Sequence, residues 1–219
     1  MRRPPPRNRA DLRRRAAALA DRPLAHIARE VGAPVPVDLR RDKGWIGTLM
    51  EAALGASAGQ AAEPDFPALG VELKTIPLRD DGRPRESTYV CTAPLDGSME
   101  RTWEACWVRR KLATVLWVPI LGTGAPGARR VGTPVLWQPT AAQEALLQAD
   151  WEGLAETIAL GAFDQIDARR GRVLQLRPKA ASAAERVWAL DAEGEWVQVV
   201  PRGFYLRARF TRELLAHGG

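Results

Sequence analysis

The chain has 219 residues, 46% of them apolar and 26% charged, with a formal net charge of +6, so it can bury one sizeable core. No apolar run approaches membrane-spanning length and no apolar leader follows the first residues, so a cytoplasmic protein is expected, neither membrane-bound nor secreted. Two histidines (His26 and His217) and two cysteines (Cys91 and Cys106) lie far apart. This removes His-rich zinc hydrolases, gives a Ser-His-Asp arrangement little support, and predicts buried thiols in a reducing compartment.

The first 15 residues hold seven arginines (Arg2, Arg3, Arg7, Arg9, Arg13, Arg14, Arg15) and one acid, Asp11. Without them the chain keeps 25 basic and 25 acidic side chains. All the net charge therefore lies in this start, and the isoelectric point is no argument that the fold itself binds nucleic acid. Residues 1–15 are expected as a flexible arginine-rich tail, with nonspecific attraction to DNA as a second reading. Residues 16–219 are expected as a single domain with N-terminal and C-terminal lobes. Within 11–32, Leu12, Ala16, Leu19, Leu24, Ile27 and Val31 recur in threes and fours. That predicts one or two short helices, divided at Pro23 and stopped at Gly32. A further helix carries Trp45, Leu49 and Ala53 and ends near Gly55. The small-residue loop after it, residues 55–59, has backbone amides that could approach a phosphate.

Strands are predicted at 71–76, 88–93 and 113–120, the last apolar on both faces as a central strand should be. Asp81-Gly82, between the first two, is a hairpin turn signal. Thr140 with Gln143 forms a capping box that opens a helix running to about Leu160. It has a buried stripe of Leu147, Trp151, Leu154 and Ile158. Strands follow at 173–177 and 196–200, and a short basic segment at the end carries Arg207, Arg209 and Arg212.

The stretch PDFPALGVELKTIP, residues 64–77, carries the chemistry. Strand alternation points Glu72 and Lys74 the same way and buries Val71 and Leu73. A turn at 67–70 can fold Asp65 back toward Glu72. Two carboxylates for Mg²⁺ and an ammonium for the attacking water or the phosphate are what phosphodiester hydrolysis requires. The same pattern also fits a solvated strand face with an ion pair. Lysine usage weighs toward the first reading. The chain has 28 arginines and only four lysines, Lys43, Lys74, Lys111 and Lys179, so a retained lysine marks a place where a compact, pKa-adjustable amine is needed. Glu51, on the 45–55 helix, could serve as a further acid or as an exposed ion-pair partner. Lys111 could reach the same strand mouth if strands 71–76 and 113–120 are neighbours. Arg177 and Lys179 frame Pro178 and could read a major groove. Arg202 and Tyr205 combine a phosphate binder with a planar ring.

Taken together, RDKGWIG, LGASAG, DFPALGVELKTIP, KLATVLWVPI, LQLRPKA and PRGFYL resemble, in this order, the MutH family of strand-nicking endonucleases of methyl-directed mismatch repair. The resemblance runs from about residue 12 to 215. It implies a mixed α/β restriction-endonuclease-like fold, a β-sheet flanked by helices, with two lobes forming a DNA-binding cleft. It implies that Asp65 and Glu72 hold Mg²⁺, that Lys74 is the catalytic lysine, and that Glu51 and Lys111 join the site. Lys43, Arg177, Pro178 and Lys179 match the family's DNA-reading segments, and Tyr205 the tyrosine beside the methylated adenine. The implied reaction is Mg²⁺-dependent nicking of the unmethylated strand 5′ to the G of hemimethylated GATC, activated by ATP-bound MutL, by a monomer. The residues alone leave two other functions open: a GATC restriction endonuclease of the same fold, and a non-catalytic DNA-binding module. The arginine-loaded start and the 121–130 loop depart from the family pattern.

Overall fold

The computed structural model describes residues 3–59, 63–163, 166, 169–180, 182 and 184–217. The chain divides into two compact units: residues 1–86, 113–138 and 212–219 in the first, and 87–112 and 139–211 in the second.

The arginine-rich start is folded from Arg3 onward, which corrects the expectation of a flexible tail; Arg2 lies outside the described residues. Helix α1 (Arg9–Ala17) is capped by Asn8, whose side chain accepts the Asp11 N–H at 2.8 Å. Its Leu12 and Ala16 join the core of the first unit, 0% and 1% exposed. Two further helices follow, α2 (Leu24–Val31) and α3 (Trp45–Leu54). Pro23 caps α2 at its N-terminus, and Gly32, at φ 73°, closes it in the left-handed conformation that glycine adopts without cost. The Arg3 N–H donates to Ala52 O at 3.2 Å and Arg15 Nη1 to Leu54 O at 3.3 Å, so both α1 and the residues before it lie against the end of α3. Gly55 makes this approach possible. A Cβ there would stand 2.4 Å from Pro4 O, and its φ is 85°.

The first unit's sheet is built on β1 (Glu72–Pro77) and β3 (Val115–Leu121), which run parallel with Glu72 opposite Val115. Every residue of β3 from Val115 to Ile120 is buried, as its unbroken apolar run requires. Two short antiparallel strands, β4 (Arg130–Val131) and β5 (Val135–Trp137), complete it. At two and three residues they are too short to leave an alternating signature in the sequence.

The second unit holds a three-stranded antiparallel sheet in which β9 (Arg202–Leu206) lies between β2 (Thr88–Ala93) and β6 (Leu174–Pro178). The Asp81-Gly82 turn closes only a small loop, with Leu78 bridging Pro84, and β2 pairs with β9 rather than with β1. Helix α4 (Trp107–Leu112) is one short turn and a half. Helix α5 (Ala141–Ala159) starts at the Thr140–Gln143 capping box and packs along β6. A hairpin, β7 (Val187–Leu190) with β8 (Trp196–Val199), follows; helix α6 (Ala208–His217) begins in this unit, and its residues from Arg212 on belong to the first. Cys91 and Cys106 are both buried and form no disulfide, and burial pushes the Cys106 thiol up to about 11.

Candidate active site and nucleic-acid interface

In the first unit, a tight turn gathers three of the sequence-selected residues. Phe66 and Val71 form an antiparallel bridge, exchanging N–H···O bonds of 2.9 and 3.3 Å around a 3-10 turn at Pro67–Leu69. Gly70 completes the reversal at φ 61°. The turn brings Asp65 beside β1, where Asp65 Oδ2 accepts the Leu73 N–H at 2.7 Å. Leu73 is flanked by Glu72 and Lys74, whose side chains share a face, and Lys74 Nζ lies 2.9 Å from Glu72 Oε1. The Glu72 side chain is 4% exposed and that of Lys74 15%. Pairing with an ammonium offsets part of the cost of burying this carboxylate.

The loop after α3 serves this geometry differently from the sequence reading. The amides of residues 55–58 are already bonded within the protein. Gly55 and Ala56 donate to Glu51 O at 2.9 Å, and Ser57 and Ala58 donate to Asp65 O at 3.0 and 3.4 Å. The loop therefore fastens the Asp65 segment to the last turn of the helix that carries Glu51. The Glu51 side chain is half-buried. Among the described residues no three Asp, Glu, His or Cys side chains gather as a metal cage. Asp65 and Glu72 are a carboxylate set suited to Mg²⁺, which keeps several waters and takes one or two protein carboxylates plus substrate phosphates. Lys43 is exposed in the turn that leads to α3, just before Gly44.

A contact that the sequence did not reveal braces the turn. Arg9 donates from Nε and Nη2 to Leu69 O at 3.1 and 3.0 Å. Arg9→Ala should lower the thermal stability of the chain by an amount equivalent to about 0.5–1 kcal/mol, measured by thermal unfolding.

The other selected residues belong to the second unit. Lys111 lies on the last turn of α4, its ammonium 5.3 Å from the centre of the Trp107 ring. Arg177, Pro178 and Lys179 are exposed at the end of β6 and just beyond it. Pro178 is in register with Arg202, and Gln175 with Tyr205. The Arg177 guanidinium lies 5.7 Å from the centre of the Tyr205 ring and donates to Ser87 Oγ at 3.0 Å. Arg202 Nε is buried without a hydrogen-bond partner among the described residues, and burial pushes its pKa down.

Tyr89 was not singled out by sequence. It is in register with Tyr205, edge-on at 5.4 Å and 64°, and Lys179 Nζ stands 5.0 Å from its ring centre. Only its place in a strand of alternating residues hinted at a role. Gly203 lets the two rings close up. A Cβ there would stand 3.0 Å from Tyr89 Cε2 and 3.2 Å from Tyr205 Cε2. The result is two aromatic faces with a guanidinium and an ammonium over them, a surface suited to base edges and phosphates.

A mixed sheet flanked by helices, with β3 at its centre and β1 parallel to it at the edge, is a restriction-endonuclease-like architecture. The family model described as "DNA mismatch repair enzyme MutH" matches residues 54–150. The chain is 51% identical over 214 residues to the DNA mismatch repair protein MutH of Klebsiella pneumoniae, covering 97% of this chain and 93% of that one. It is 50% identical to the proteins of the same name from Pectobacterium atrosepticum, covering 96% and 92%, and Vibrio parahaemolyticus, covering 97% and 95%. The chain belongs to the MutH family of DNA mismatch repair enzymes.

Proposed function

We propose that this enzyme is a Mg²⁺-dependent DNA endonuclease that nicks the unmethylated strand 5′ to the G of hemimethylated GATC sites, acting as a cytoplasmic monomer activated by ATP-bound MutL. The observation that carries the reading is the Asp65 carboxylate fastened to the Leu73 N–H, on the strand where Glu72 and Lys74 pair at 2.9 Å. Asp65 and Glu72 would hold the ion, which when bound neutralises phosphate charge and lowers the pKa of a water. Lys74 is placed to exchange its Glu72 contact for the attacking water or a phosphate oxygen. Glu51 supplies the additional acid and Lys111 a second lysine.

Recognition is assigned to Lys43, Arg177, Pro178 and Lys179, with Arg202 contributing a phosphate contact. The orphaned Nε of Arg202 supports this, because a buried donor without a partner gains most from an acceptor that arrives with the ligand. Tyr205 senses the methyl group. Its ring is wedged by Tyr89 and Arg177, so an N6-methyl against it meets a surface with little room to yield. Tyr205→Ala should therefore narrow the rate ratio between hemimethylated and fully methylated sites. The loss is worth about 1–3 kcal/mol by analogy with a mismatched base pair. An unchanged ratio removes Tyr205 from methyl sensing.

Strand-resolved cleavage of hemimethylated, unmethylated and fully methylated GATC duplexes, with and without MutL, tests the whole reading. Nicks confined to unmethylated strands and accelerated by MutL are expected. Concerted double-strand breaks from a dimer on unmethylated DNA would replace it with a restriction endonuclease. Binding without cleavage in Mg²⁺ would replace it with a non-catalytic module.

A further inference from the structure

The first 15 residues account for the chain's whole net charge, and the fold organises that charge into a groove. Arg3, Arg7, Arg14 and Arg15 line it with Pro4 and Asp11, enclosing about 510 Å³. Positions 11, 14 and 15 share one helical face. Asp11 is the single acid among the described residues that line the groove. It pairs with Arg14 at 2.5 Å and with Arg15 at 2.9 Å. Arg15 Nη1 also donates to Pro4 O at 2.6 Å, which ties the two walls together. Among the described residues no carboxylate forms an ion pair with Arg3 or Arg7, and both are exposed. Four guanidinium groups against one carboxylate leave the groove strongly positive. The backbone contacts of Arg3 and Arg15 with α3 hold it in place.

Such a groove fits an anion with spaced, forked acceptors. Guanidinium groups grip phosphates in bidentate fashion, and a sequence-independent phosphate contact needs nothing more. No aromatic side chain lines the groove, so the buried anchor typical of a protein interface is missing. We propose that this groove holds the phosphate backbone of duplex DNA regardless of sequence, in addition to the GATC-reading segments. The proposal rests on the reading of the chain as an enzyme that acts on DNA.

The test is equilibrium binding to a duplex without GATC, across a range of salt. The double variant Arg3→Gln/Arg7→Gln removes two guanidinium groups and leaves the backbone bonds of both residues in place. Losing two phosphate contacts lowers the slope of log K against log salt by about 1.8, so between about 50 and 200 mM salt the wild type should lose roughly tenfold more affinity than the variant. Arg3→Lys/Arg7→Lys should keep the steep slope, and thermal midpoints should show all three proteins folded. Equal slopes for wild type and the folded Gln variant overturn the proposal. They do so equally if that variant instead loses MutL activation, which would assign the groove to a protein partner. Nicking is scored separately: a slope difference in a chain that never nicks GATC would keep the groove and discard the nuclease reading.

Discussion

Glu72→Ala and Lys74→Ala should each lower Mg²⁺-dependent nicking by about a thousandfold or more, while duplex affinity stays within a few fold. The magnitude follows from the role proposed for each group. Removing a single preorganised electrostatic partner of a transition state typically costs about 10²–10³ in rate, and Glu72→Ala would also remove one of the two carboxylates proposed to hold the ion. Binding should survive because the residues assigned to recognition lie elsewhere in the chain, at Lys43, Arg177–Lys179, Arg202 and Tyr205. Glu72 and Lys74 are both nearly buried and paired, so removing one takes a close counter-charge from the other and should cost stability. Glu72→Gln and Lys74→Gln, which keep shape and hydrogen bonding, should be as inactive as the alanine variants and more stable. Mg²⁺-dependent nicking retained by any folded variant of the four would defeat the assignment.

Asp150→Ala should destabilise the second unit by about 3 kcal/mol or more, the largest stability effect expected of a polar substitution here. Asp150 is 9% exposed on α5. Its Oδ1 accepts the Arg172 N–H at 2.8 Å, and its Oδ2 accepts those of Val173 and Leu174 at 2.6 and 2.8 Å. It thus caps the start of β6, the strand that ends in Arg177 and Pro178. Gly171 makes the preceding turn possible, since a Cβ there would lie 1.8 Å from Leu174 O at a φ of 80°. Asp150→Asn keeps one acceptor oxygen and should recover part of the loss. Urea unfolding measures both. GATC affinity should fall with Asp150→Ala, because the reading segment loses its anchor. Stability equal to wild type would remove this role.

The long elements were legible in the sequence. The period of α5, its Thr140–Gln143 capping box, and the two-faced apolar run of β3 each carry a strong local signal. The return of Asp65 to β1 and the shared face of Glu72 and Lys74 were also legible, because a Pro-Ala-Leu-Gly turn has few ways to fold and strand alternation decides which side chains share a face. The misses have a common physical origin in long-range pairing. Pairing of β2 with β9 rather than β1 depends on residues more than 100 positions apart, and the Asp81-Gly82 signal concerns only its own turn. Tyr89 acquires its place beside Tyr205 through that same pairing. Asp150 looked like one more polar residue on a structural helix, because its three partners lie more than twenty residues away. The arginine-rich start reads as disordered by composition. It folds because Leu12 and Ala16 find a core and Gly55 admits Pro4.

Metal uptake tests the central claim most directly, read as the loss of the free Mn²⁺ resonance when the ion is titrated into protein bound to uncleaved GATC duplex. The account predicts that Asp65→Asn and Glu72→Gln each weaken uptake at least tenfold. It also predicts that Lys74→Ala binds the ion as tightly as wild type or tighter, because a competing ammonium has been removed from Glu72. Uptake unchanged by both acid substitutions, or abolished by the lysine substitution alone, would contradict it.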